Sequence, residues 1–176
     1  MKKSVLLLFF AGCVATGIFG IGRKIPMNRV NDLGQREGYW RDSLGEGITH
    51  ELYYKGGKKD GLFKCFIRNE LFLFGEYTAD NMSGTWYMFG DEGELRCTID
   101  SIELNKDSIY TGYCRIFCKY KCHSIDYYPS GAVKSEGYMV CDEEFEIEIW
   151  EIGEWKYYDE SGNLIKTKDY GDRQTP

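Results

Sequence analysis

The sequence predicts an all-β fold: an antiparallel meander of repeated β-hairpins, forming an open sheet after an N-terminal apolar segment. Three observations predict it. A glycine followed two residues later by a large aromatic recurs at a 23-residue step, as Gly38-Tyr39-Trp40, Gly61-Leu62-Phe63 and Gly84-Thr85-Trp86, with a further copy at Gly153-Glu154-Trp155. A second piece, an aromatic pair running into a glycine turn, recurs between these steps. The composition agrees: 176 residues hold 14 Tyr, 10 Phe, 4 Trp and 21 Gly but only 3 Pro, a balance that suits short strands joined by tight turns.

Residues 1–22 read as a signal peptide or membrane anchor. Lys2 and Lys3 precede an uncharged run from Val5 to Gly22. Three forms of address fit it. Phe10-Ala11-Gly12-Cys13 resembles a bacterial lipobox, which would leave Cys13 as the lipidated first residue. The run could instead stay as a membrane helix, at the short limit of what spans a bilayer. An ordinary signal peptide, removed to give a soluble product, is the third. Residues 23–30 read as a linker, 31–168 as the repeat domain and 169–176 as a flexible tail.

Within the repeat domain the aromatic–glycine piece appears first as Tyr53-Tyr54-Lys55-Gly56-Gly57 leading into Gly61. It returns as Tyr127-Tyr128-Pro129-Ser130-Gly131 leading into Gly137, and as Tyr157-Tyr158-Asp159-Glu160-Ser161-Gly162. Trp86 to Leu95 is a relative, with Gly93 in the place of Gly162. An aromatic pair ends a strand, a glycine supplies the positive φ of a tight turn, and a second strand leaves. Gly61 is expected to sit in such a turn. Twenty-three residues fit two strands of about 5–6 residues with their turns, and one hairpin must stack on its neighbours to bury an apolar face. The same step falls at Asp107 and Ser130, where the pattern has degenerated.

These pieces resemble the MORN repeat family in its bacterial variant form. Tyr54, Gly56 and Gly61 match the family's Tyr-x-Gly, four residues, Gly pattern, with Phe63 where the family's last glycine belongs. Gly38, Gly84 and Gly153 carry the Gly-x-Trp of the variant. The resemblance covers roughly residues 28–166 and implies binding or scaffolding through protein or membrane-surface contacts. Bacterial relatives of this repeat also include antitoxin components, which implies a cytoplasmic immunity-type partner protein as an alternative.

Other stretches refine the picture. Phe145, Ile147 and Ile149 alternate with Glu144, Glu146 and Glu148, giving one apolar and one acidic strand face. Leu71 to Phe74 is apolar on both faces, which suits a strand covered on both sides. Cys114, Cys118 and Cys122, followed by His123, invite a metal assignment. On a strand, however, successive members stand about 13 Å apart at roughly 3.3 Å per residue, so they read as small core hydrophobes on one face with Ile116 and Tyr120. The same spacing sends any disulfide from this trio to Cys65, Cys97 or Cys141.

The net charge of −6 argues against a nucleic-acid partner, since phosphate binding needs a basic face. The two histidines, His50 and His123, lie in no catalytic motif, and neither a Gly-x-Ser-x-Gly elbow nor a Walker loop occurs. The expected function is therefore non-enzymatic binding or scaffolding, without cofactor or metal, by a membrane-anchored extracytoplasmic domain. A hydrolytic enzyme is a second alternative. Trp40, Trp86 and Trp155 are expected to pack between hairpins. The exposed members of Tyr53-Tyr54, Tyr127-Tyr128 and Tyr157-Tyr158 are the candidate partner contacts, since adjacent strand residues point to opposite faces.

Overall fold

The computed structural model describes residues 26–106, 118–142 and 150–171. The apolar segment with Cys13, the Asp107 step, Cys114 and the Phe145–Ile149 alternation lie outside the described residues. The rest is all strand: β1 (Arg29–Val30), β2 (Arg36–Gly45), β3 (Ile48–Lys55), β4 (Lys58–Ile67), β5 (Glu70–Thr78), β6 (Asn81–Phe89), β7 (Leu95–Leu104), β8 (Tyr120–Tyr127), β9 (Val133–Cys141), β10 (Trp150–Tyr158) and β11 (Leu164–Asp169). Every strand pairs antiparallel with its sequence neighbours, so the order in the sheet is the order in the chain. Among the described residues no helix is long and apolar enough to cross a membrane.

Two kinds of turn join the strands. Glu46-Gly47, Gly56-Gly57, Arg68-Asn69 and Ala79-Asp80 are two-residue links with positive φ at both positions. That conformation matches the twist of the strands it joins. The other kind is a five-residue loop at 31–35, 90–94, 128–132 and 159–163. Its first N–H donates to the carbonyl of its fifth residue, and its fourth residue is a positive-φ glycine: Gly34, Gly93, Gly131 or Gly162.

The Gly-x-aromatic steps are not turns. Gly38, Gly61, Gly84 and Gly153 lie inside β2, β4, β6 and β10, all at positive φ. At Gly84-Thr85-Trp86 three residues of β6 stand opposite the single Gly75 of β5, and at Gly153-Glu154-Trp155 three residues of β10 stand opposite Gly137. Asp60-Gly61-Leu62 bulges likewise opposite Tyr53. Thus Gly61, expected in a turn, instead carries a strand bulge. Gly137 is likewise a strand residue, and it has no positive φ.

The bulges explain how one sheet makes a core. Trp86 lies flat on Gly75, where a Cβ would come within 2.1 Å of the indole, and Trp155 lies on Gly137, where a Cβ would come within 2.5 Å. A glycine seat lets the indole cross its neighbour strand: Trp86 reaches Phe63 on β4 at 5.5 Å and Tyr77 at 5.1 Å between ring centroids. Each bulged indole also donates to a nearby carbonyl, Trp86 to Ser83 at 3.2 Å and Trp155 to Tyr138 at 2.7 Å. Trp86 and Trp155 are 1% and 4% exposed and belong to one cluster with Leu52, Phe63, Leu73, Met82, Ile99, Tyr120, Cys122 and Met139. Trp40 packs against this cluster half-buried.

Several boundaries differ from the sequence reading. Arg29 and Val30, read as linker, pair with Glu37 and Arg36 as β1. Asp169, read as tail, closes β11, and the Tyr170 hydroxyl lies 2.7 Å from that of Tyr157. Of Leu71 to Phe74 only Leu73 is buried, because the sheet is covered on one side there. Cys118 does not share a face with Tyr120 and Cys122. A bend at Lys119 precedes β8 and turns Cys118 into a second cluster with Val140 and Ile152.

Candidate binding groove

Register builds the site. Asp42, His50, Cys65 and Leu73 form one row across β2 to β5, Leu52 and Phe63 pair in the next, and Tyr54 pairs with Lys59 beyond them. On the other side Ile48 pairs with Ile67. Side chains at alternate positions share a face, so these rows line one groove of about 420 Å³ whose walls also include Leu44, Phe72 and Tyr77. That volume falls within the range of about 300–1,000 Å³ seen for ligand pockets.

The floor is apolar and the polar groups sit at identifiable places. At one end Lys59 Nζ stands 4.7 Å from the centre of the Tyr77 ring. Nearby, Arg36 Nη1 donates to Asp42 Oδ2 at 2.8 Å and to the Tyr54 hydroxyl at 2.9 Å, and its guanidinium lies 4.4 Å above Trp40. Cation–aromatic and paired contacts of this kind orient long side chains. In the middle, His50 sets its ring edge-on to Phe63 at 5.0 Å. At the far end Leu44 is 59% exposed, an apolar lip at the groove mouth. Among the described residues no group of three or more His, Cys, Asp or Glu side chains could hold a metal ion.

The opposite face carries a smaller depression formed by Tyr39, Glu51, Tyr53, Leu62 and Lys64. The Tyr39 and Tyr53 rings meet at 5.4 Å between centroids, tilted by 49°, and burial together with a hydrogen bond to Glu51 pushes the Tyr39 hydroxyl above its ordinary pKa of 10.0.

The tyrosine pairs fall in different surroundings. Tyr53 is exposed, while Tyr54 is half-buried beside Trp40. The Tyr127 hydroxyl lies 3.1 Å from that of Thr98, and Tyr128 donates to the Tyr158 carbonyl at 2.9 Å. Tyr158 donates to Glu136 at 2.6 Å. Burial, then the Tyr170 contact, raises the Tyr157 pKa. Of the six tyrosines, Tyr53 is the one that presents an exposed ring.

The groove itself escaped the sequence reading, because it is made by cross-strand rows rather than by neighbours in the chain. One local signal was present. An isolated glycine inside an apolar strand, Phe74-Gly75-Glu76, marks a close approach of another group, here the Trp86 ring. Compared with known proteins, the chain matches no family model, and neither a curated protein nor a solved structure matches it.

Proposed function

We propose that this chain is a non-enzymatic binding module of the variant MORN type, held at a membrane by residues 1–22, which takes apolar side chains of a protein partner into the β2–β5 groove. The observation that carries this reading is the groove: an apolar floor of Leu52, Phe63 and Leu73 with an exposed lip at Leu44. Anchoring interfaces commonly bury a few large side chains in such pockets, and an apolar recess with few polar groups is a default binding site.

The test is a photo-crosslinking residue at position 44, at the groove, compared with position 62 on the other face. One discrete adduct at 44, lost on Phe72→Asp with an unchanged melting curve, supports the reading. Adducts at both positions, or at 62 alone, overturn it. The anchor is tested separately by Cys13→Ser: loss of lipid labelling supports the lipoprotein form. Membrane retention without labelling supports a helix anchor instead.

The row Asp42–His50–Cys65 favours a second reading, hydrolysis with Cys65 as nucleophile, His50 as base and Asp42 orienting it. Ester turnover abolished by Cys65→Ala and by His50→Ala would support it. Equal rates in parent and variants would end it.

A further inference from the structure

We propose that Cys122 and Cys141 are joined by a disulfide in an oxidising compartment, cross-linking β8 to β9 inside the core. Nothing in this depends on what the groove binds.

The sequence left Cys65, Cys97 and Cys141 open as partners for Cys122. The register chooses among them. Tyr120 pairs with Cys141 and Cys122 pairs with Met139, so the two cysteines are diagonal neighbours on adjacent strands with both side chains on the core face. Their Sγ atoms stand 3.5 Å apart. A disulfide needs about 2.05 Å, and diagonal neighbours stand about 7–8 Å apart on a ladder, so closing the bond draws β8 and β9 together at this point as well as rotating the two side chains. The other candidates are engaged elsewhere. Cys97 Sγ lies 3.3 Å from Ser124 Oγ. Cys65 is on β4, and Cys118 belongs to the second cluster with Val140 and Ile152.

The reaction needs a disulfide oxidant, and oxidised glutathione is one. The thiolate of one cysteine attacks a glutathione sulfur and releases glutathione thiolate. The thiolate of the other cysteine then displaces the second glutathione from the mixed disulfide. One protein disulfide forms, two thiol protons are lost, and two electrons reduce one glutathione disulfide to two thiols. Cys122 is 0% and Cys141 1% exposed. The hydrogen bond with Cys141, together with burial, pushes the Cys122 thiol well above its ordinary pKa. Thiolate is therefore scarce in the closed sheet, and the bond forms while the chain folds or when β8 and β9 separate.

The experiment refolds the full chain in a glutathione redox buffer, quenches it with acid and maps peptides without reduction. A linked peptide pair containing Cys122 and Cys141, two hydrogens lighter than the separate peptides, is the expected product. The same pair should appear in Cys97→Ser, which removes the competing core thiol. The oxidised chain should also unfold at a higher denaturant concentration than the same sample reduced with dithiothreitol, because a cross-link restricts the unfolded state. Cys122 linked to Cys97, or both Cys122 and Cys141 fully alkylated by N-ethylmaleimide after unfolding, overturns the proposal. The mapping uses the parent chain, so it stands even where a cysteine variant fails to fold.

Discussion

A glycine in this sheet has one of two jobs, and each gives a different response to an added methyl group. Gly75 and Gly137 are seats for indole rings and have no positive φ. Gly84 has a φ of +66° and no atom within 4 Å of a Cβ. Gly75→Ala should therefore destabilise by about 1–3 kcal/mol through overpacking, and the cost should shrink when Trp86 is replaced by Leu. Gly84→Ala should cost about 1–2 kcal/mol from backbone strain alone, unchanged by the Trp86 replacement. A double-mutant cycle in denaturant reads both. Equal coupling of Gly75 and Gly84 to Trp86 would sink the distinction. A second residue-scale expectation concerns acid. Asp159 accepts from the side chain and backbone N–H of Asn163 and from the Ser161 N–H, and these hold its pKa below the ordinary 3.8. A carboxylate so depressed stabilises the fold above its unfolded pKa, and the contribution is lost as pH falls through the folded value. Asp159→Ala should lower the melting temperature near neutral pH, and the gap should close on acidification below about pH 4. A gap that widens in acid would contradict the assignment.

At the scale of the element, the two-residue turns carry the strain. Ala79 and Asp80 adopt φ of 48° and 69°, where Gly56 and Gly57 adopt 56° and 84° in the corresponding turn between β3 and β4. Asp80 has a task there, since its Oδ1 accepts the Lys59 N–H at 2.7 Å. Ala79 uses only its backbone: its N–H donates to Asp60 at 3.3 Å and its carbonyl accepts from Asn81 Nδ2 at 3.1 Å. Ala79→Gly keeps that donor and removes the Cβ conflict. It should stabilise by about 0.5–1 kcal/mol, the strain relieved exceeding the entropy added to the unfolded chain. A lower denaturation midpoint would show that the turn is not strained. The turn glycines were legible because positive φ is a local demand: Gly56, Gly93, Gly131 and Gly162 stand where aromatic pairs run out. The bulge glycines were legible only as a period. Whether Gly61 turns the chain or bends a strand depends on the length of the strand opposite.

Over the whole molecule, the sheet bends between β6 and β7. These strands pair only from Trp86–Ile99 to Phe89–Leu95, and Ser101 takes a φ of 51° where β7 shifts register against β8. The N-terminal part of β6 has no ladder partner on β7. There the buried Met82 N–H donates to the Tyr120 hydroxyl at 3.1 Å, and Lys119 Nζ donates to the Asp80 carbonyl at 3.4 Å. Tyr120 therefore ties β8 to β6 past the intervening strand. Tyr120→Phe leaves a buried backbone donor without that acceptor and should cost about 1–3 kcal/mol. Amide exchange at Met82 should accelerate more than at Leu73, which lies away from the bend. Uniform acceleration, or none, would mean that the hydroxyl does not hold the bend.

Strand density, the glycine turns that follow aromatic pairs and the all-β class were determined by the sequence itself, because each follows from local demands: a glycine's φ, an aromatic pair, a spacing that fits a hairpin. The bulges, the indole seats at Gly75 and Gly137, the groove row of Asp42, His50, Cys65 and Leu73, and the approach of Cys122 to Cys141 were decided by tertiary structure alone. All of these depend on register between strands. In an antiparallel ladder each bulge changes which residues oppose one another in every row beyond it. A residue's partner is thus fixed by the bulges between them, and the spacing of residues along the chain does not contain that information.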